Sequence, residues 1–169
     1  MKIPMLPRLA LICLLFAPSL AAAAIIKHER HRLGPWTLNI STDRFAGART
    51  CALARHGVDY ERKALVFHLP RRLDTASAVY RIDNGPPFKA VDDRLDLARQ
   101  GFALQNDDLA NPSGGLVRIP ADRLATARAV RIETGPRLRI FTFRVDGLAS
   151  ALALARRAGC YRETTRPQP

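Results

Sequence analysis

The side chains able to do chemistry are few and scattered along the chain. His28 and His31 stand three apart beside Glu29. That spacing would set two metal ligands on one face of a helix, but no third ligand accompanies them. They read as part of a solvated basic segment, with a weak terminal metal site as the alternative. His56 is isolated, and His68 lies among strand residues, where it reads as a partly buried side chain rather than a general base. Ser41, Ser77, Ser113 and Ser150 belong to no G-x-S-x-G elbow. No H-E-x-x-H helix or G-x-x-x-x-G-K-[ST] phosphate loop occurs. Asp92-Asp93 with Asp96 nearby, and Asp107-Asp108, are the acidic clusters. The first would suit a cation, yet neither follows the ligand order of a calcium-binding loop, and both read as solvated turns. No enzyme, metal or cofactor is expected.

Positive charge is the remaining lead. The 169 residues carry 27 basic and 15 acidic side chains, and 23 of the 27 are arginine. Arginine presents a planar fork of donors that matches phosphate and carboxylate bidentately. Arg128 and Arg131 fall on one candidate strand near the end of the chain, and Arg137, Arg139 and Arg144 fall on the next. Were these strands to pair, one face would become a basic stripe able to meet anionic lipid heads, glycans or nucleic acid. Arginine and alanine are abundant throughout, however. The plainer reading, a solvated surface shaped by composition, carries more weight.

Where those anions lie depends on the address. Lys2 and Arg8 bracket a positive start, Leu9 to Ala17 is an apolar run, and Leu20-Ala21-Ala22-Ala23-Ala24 supplies small residues for cleavage. These are the three parts of a secretory signal. The apolar run falls well short of the roughly 20 residues that cross a bilayer as a helix, and no later segment of the mature chain reaches that length. Removing residues 1–24 takes away Lys2, Arg8 and no acid, leaving 25 basic and 15 acidic side chains. The expected location is periplasmic or secreted. Anionic envelope polymers, lipid head groups or another envelope protein then become the candidate partners, and nucleic acid does not.

The signal also removes Cys13, so Cys51 and Cys160 remain. An even count in an exported protein reads as a disulfide. Two free thiols or a metal pair are the alternatives. The bridge would close a loop of ~110 residues, for which the chain-entropy model gives roughly 4–5 kcal/mol.

The elements that must position these residues are mostly strands. Residues 25–33 form a charged lead-in, and Gly34-Pro35 a turn. Trp36, Leu38 and Ile40 alternate with Thr37, Asn39 and Ser41, the period of a half-buried strand. A polar turn over Thr42-Asp43-Arg44 and Gly47 precedes a short strand at Cys51–Arg55. Leu65, Phe67 and Leu69 mark another, and Ala76 to Ile82 a fourth, ended by Asp83-Asn84-Gly85-Pro86-Pro87. Phe88–Val91 and Gly101–Leu104 read as short strands, with a turn or weak helix between them. Leu116–Ile119 leads through Pro120 into a helical turn over Ala121–Ala127. Ala129–Ile132 and Leu138–Val145 are the last strands, the latter with a phase change that suggests a bulge near Ile140. Leu148, Ala151, Leu152 and Ala155 define a closing helix, with Asp146 placed to cap it and Gly159 to end it. Together these predict a mainly β, sandwich-like domain of antiparallel sheets over residues 34–160. It carries a short mid-chain helix and one C-terminal helix, and residues 161–169 form a disordered tail.

In Trp36, Cys51, the Gly-Pro turn after Ile82 and above all its ending, the chain resembles the invasion-associated locus B family of exported bacterial proteins. That ending comprises Ala125–Ile132, Phe141-x-Phe143-x-Val145-Asp146-Gly147-Leu148-x-x-Ala151-Leu152 and Gly159-Cys160. The resemblance spans about residues 34–160 and implies a periplasmic, β-rich, non-enzymatic protein. Members often have further cysteines near the first, which this chain lacks.

Three functions follow as expectations. The first is an exported binding or interaction module of unknown ligand. The second is an envelope structural or stress-accessory protein resting its basic face on anionic polymers, and the third, less favoured, is an unrecognised hydrolase. The cysteine reading has a direct check. Mass spectrometry of the unreduced mature chain should find Cys51 joined to Cys160 and two hydrogens fewer than the dithiol; two free thiols would refute the bridge.

Overall fold

The computed structural model describes residues 26–70, 73, 75–102, 115–134 and 139–161. The signal at 1–24, Leu104, Asp107-Asp108, Arg137, Leu138 and tail residues 162–169 lie outside the described residues. Among the described residues the fold is mainly β, with two antiparallel sheets and two short α-helices. The larger sheet takes β1 (Ile26–Leu33), β2 (Trp36–Asp43), β3 (Arg49–Arg55), β4 (Val58–Glu61), β5 (Ala64–His68) and β8 (Leu116–Pro120), in the order β1-β2-β3-β4-β5-β8. The smaller takes β6 (Val79–Ile82), β7 (Pro87–Lys89), β9 (Ala129–Thr134) and β10 (Arg139–Arg144), in the order β10-β9-β6-β7. Helix α1 is Arg94–Arg99 and helix α2 is Leu148–Arg157.

Alternation explains why the sheets stack. Trp36, Leu38 and Ile40 of β2, Leu53 of β3, Leu65 and Phe67 of β5, and Val117 and Ile119 of β8 are buried on one face of the larger sheet. They form one core with Tyr80, Val130 and Ile132 from the smaller sheet. Period-two side chains make each strand half apolar, and only a second apolar face removes that half from water. Phe67 and Phe143 meet edge to face across this core, with centroids 5.2 Å apart. Strand β5 is buried on both faces, because Ala64 packs outward against Leu97 and Phe102 of the α1 segment. Gly115 has φ +60, and a Cβ there would sit 2.6 Å from the Leu69 carbonyl oxygen, so this turn into β8 requires glycine.

Helix α2 turns Leu148, Ala151 and Ala155 inward and packs on β1 and β2. Its alanines let it approach closely. Cys160 stands three residues beyond Arg157 and is bonded to Cys51 on β3, so the helix end is tied to the sheet it covers. Tyr161, expected at the start of the tail, belongs to the domain. Its hydroxyl donates to the Cys51 carbonyl at 3.2 Å, and its ring meets Tyr60 edge-on at 4.8 Å.

Several expectations need correcting. The charged lead-in at 25–33 is mostly strand β1, paired over its whole length with β2 from Ile26–Asp43 to Leu33–Trp36. Apolar alternation is missing there because most side chains of this edge strand stay exposed, and charge protects its unpaired edge from further pairing. Val58 and Tyr60 form the strand β4, which the sequence reading passed over. No bulge occurs at Ile140; β10 pairs with β9 in unbroken register from Arg139–Thr134 to Arg144–Ala129. Ile140 is simply exposed on the outer face. Phe102 follows α1 as irregular chain, not a strand.

Asp146 does not cap α2. Gly147, with φ 78, is the cap residue, and no side chain closes that end. Asp146 instead sits at a corner where both sheets and the helix meet. Its carbonyl accepts from Trp36 Nε1 at 3.0 Å and Arg55 Nη1 at 3.1 Å. Its Oδ1 accepts from Arg55 Nη1 at 2.9 Å and Arg144 Nε at 3.0 Å. Donation by Arg144, assisted by Arg55, holds the carboxyl below its usual range. A carboxyl lowered in the fold adds stability above the unfolded value of 3.8, lost as pH falls through the folded value. The D146N variant should therefore be less stable than wild type near neutrality and show a shallower loss of stability on acidification below pH 3.8. Urea unfolding across that range reads both effects, and parallel pH curves would contradict them.

Candidate functional site

Antiparallel pairing of β6, β9 and β10 sets the outer face of the smaller sheet. Tyr80, Val130 and Ile132 point inward and are fully buried, so Arg81 and Arg131 point outward on adjacent strands. Their register is direct: Arg81 lies opposite Arg131, and Arg131 opposite Thr142. Two like charges facing each other across a sheet oppose its formation. Each is met only by a neutral acceptor among the described residues. Arg131 Nη2 donates to Asn84 Oδ1 at 3.1 Å, and Arg81 Nη1 to the Gly85 carbonyl at 3.4 Å. Both acceptors belong to the turn between β6 and β7. One row along, Ile140, Glu133, Val79 and Lys89 share the face, so it carries one acid among its cations.

The five arginines singled out from the sequence do not all gather here. Arg131 is at the centre of the face. Arg144 is on it too, beside Ala129, but its Nε is held by Asp146 at 3.0 Å. Arg139 opens β10 opposite Thr134, on the side from which Phe141 and Phe143 face the core, and is exposed at that end. Arg128 precedes β9, and its carbonyl accepts the amides of Val145 and Asp146. Arg137 is outside the described residues. The missed residue is Arg81. Its signal is present in the sequence, since Arg81 stands between the apolar Tyr80 and Ile82 of a strand and so falls on the opposite face. What one sequence could not supply was the pairing of β6 with β9, which are 46 residues apart at the hydrogen bond from Ala129 N to Asp83 Oδ1.

A second cluster is buried. The Asp93 side chain is fully enclosed, which corrects its reading as a solvated turn. Tyr80 Oη donates to Asp93 Oδ2 at 2.8 Å, and the Arg123 guanidinium forms an ion pair with Oδ1 without hydrogen-bond alignment. Arg123 also donates to Tyr80 Oη at 3.2 Å and Asp96 Oδ2 at 3.0 Å. Burial pushes the Asp93 carboxyl up, against the pull of Tyr80 and Arg123. Burial first, then the Asp93 hydrogen bond and charge, raises the Tyr80 phenol as well. A carboxylate shut away from solvent has no route to a substrate. The cluster's chemistry is to pin the turn before α1 to β6.

The histidines are apart from both sites. In β1, His28 and His31 fall on opposite faces, because three is an odd step in a strand. His28 Nδ1 is 3.0 Å from Ser41 Oγ, and His31 lies by Glu29. His68 Nε2 pairs with Asp59 Oδ2 at 2.8 Å on the exposed side of the larger sheet. Among the described residues, no three His, Cys, Asp or Glu side chains form a metal-holding group, and no helix is long and apolar enough to cross a membrane. Comparison with protein-family models, curated proteins and solved structures returned no match.

The buried cluster yields a stability test. Replacing Asp93 with Ala leaves the buried Tyr80 O–H without its acceptor and takes from the Arg123 guanidinium one of its two carboxylates, Asp96 remaining. We expect a loss of about 2–4 kcal/mol in urea unfolding, whereas Asp92→Ala should change stability by less than about 0.5 kcal/mol. Equal effects of the two substitutions would show that Asp93 is not the anchor.

Proposed function

We propose that this chain is an exported, non-enzymatic binding protein that holds anionic polymers of the bacterial envelope on the outer face of its smaller sheet. The reading rests on one observation. Arg81 and Arg131 stand directly opposite each other with only neutral acceptors among the described residues. An anion bridging them would turn a repulsive pair into two charge-assisted contacts. The formal excess of positive charge supports the same reading by drawing polyanions toward the surface. Periplasmic or secreted location, by the signal at residues 1–24, places phosphorylated lipids and acidic glycans within reach. On the residues from Trp36 to Cys160 that carry the resemblance, we also propose kinship with the invasion-associated locus B proteins. No role in invasion is implied by any residue.

Heparin serves as a defined polyanion for the test. The mature protein should be retained on immobilised heparin at low salt and released as salt rises. The R81E/R131E variant should bind at least tenfold more weakly, since each lost charge-assisted contact is worth about 1.5–3 kcal/mol. Its thermal midpoint should stay near that of wild type, because both side chains are exposed. Unchanged retention, or retention indifferent to salt, would overturn the proposal.

A further inference from the structure

The hairpin between β2 and β3 carries a different kind of surface. Seven consecutive residues, Arg44 to Thr50, are exposed. Phe45 is 91% exposed, while Phe67 and Phe102 are buried in the fold. Water around a free phenyl ring is unfavourable, and a flexible loop would fold the ring back onto the sheet. This loop is held instead. Asp43 Oδ1 accepts the amides of Phe45 at 2.8 Å and Ala46 at 3.2 Å, and the Asp43 amide donates to the Ala48 carbonyl at 2.8 Å. Gly47 closes the turn at φ 65.

Three backbone donors at the tip are thus satisfied within it. That lowers the cost of moving the tip out of bulk water, where unpaired amides would oppose the transfer. Between Arg44 and Arg49 the only side chains are Phe45, Ala46 and Ala48, all apolar, and Ile26 opposite Asp43 adds a second large apolar group at the same end. Neither Arg44 nor Arg49 pairs with a carboxylate among the described residues. Lys27, nearby on β1, is taken by Glu29 at 2.6 Å.

We infer that this tip is a membrane-interface anchor, seating Phe45 among the head groups of an anionic lipid bilayer. Arg44 and Arg49 would reach the lipid phosphates on either side of the ring. An aromatic ring prefers that boundary, and long arginine stems let the charge stay in the polar layer while the apolar part sinks. Each arginine near an anionic leaflet adds attraction, and the Asp43 charge is turned into the hairpin's own amides. This surface belongs to the larger sheet and is distinct from the Arg81–Arg131 face.

Vesicles of equal parts phosphatidylcholine and phosphatidylglycerol, compared with phosphatidylcholine alone, provide the test for the mature protein. Co-sedimentation should favour the anionic vesicles. F45A should weaken it about tenfold, and R44A/R49A by roughly fivefold per arginine. In F45W, the new indole should shift its emission to the blue on vesicle addition, against a constant signal from the buried Trp36. Absence of wild-type binding, wild-type binding by F45A, or an unshifted F45W emission would each overturn the anchor. Loss of vesicle binding in R81E/R131E with F45A unaffected would do so as well, by moving the lipid to the other sheet. Retained vesicle binding in R81E/R131E beside lost heparin binding would separate the two surfaces.

Discussion

Everything in this molecule leans on the corner at Asp146. Four polar contacts converge on its carbonyl and carboxylate, from Trp36 on β2, Arg55 on β3 and Arg144 on β10. The amides of Val145 and Asp146 add bonds to the Arg128 carbonyl just before β9. Sheet stacking by apolar side chains is non-directional, and it leaves the angle between sheets loosely set. The corner removes that freedom, because Trp36 is at once a fully buried core residue and a donor to the chain entering the last helix. The helix then returns across β1 and β2, and the Cys51–Cys160 bridge fixes its far end.

Two fates of arginine follow from that frame. Arg55, Arg123 and Arg144 face carboxylates and are spent on holding elements together. Arg81 and Arg131 are placed by register on a free face, where they oppose each other and find only amide and carbonyl oxygens. Composition alone cannot separate these groups, since all five are the same residue in the same arginine-rich chain. Geometry separates them cleanly. Of these five, Arg81 and Arg131 are the two that face no carboxylate among the described residues, which is why the proposed anion site is placed on them.

Legibility in the sequence followed the same division. Strands with apolar alternation, such as Trp36–Ile40 and Leu65–Phe67, were plain, and so were the closing helix and the cysteine pairing, which had one intramolecular solution. Strand β1 was hidden because its charge is suited to an exposed edge, not to a core. Asp146 looked like a helix cap because it stands before Gly147-Leu148, and nothing local reveals that Arg55, 91 residues away, competes for it. Asp93 looked solvated for a similar reason: its partners Tyr80 and Arg123 lie 13 residues before it and on a separate turn beyond β8. Local signals fix local elements; pairings between distant strands decide which polar side chains are buried, bonded or free.

The outer face of the smaller sheet is where a direct look at binding decides most. Amide chemical shifts of the isotope-labelled mature protein, followed while a short heparin oligosaccharide is added, report contact residue by residue. Binding at the proposed face requires the largest changes at Arg81, Asn84, Gly85 and Arg131, with the Trp36 and Cys51 amides of the larger sheet still. Changes centred on the larger sheet, or spread evenly over every exposed arginine, would contradict it.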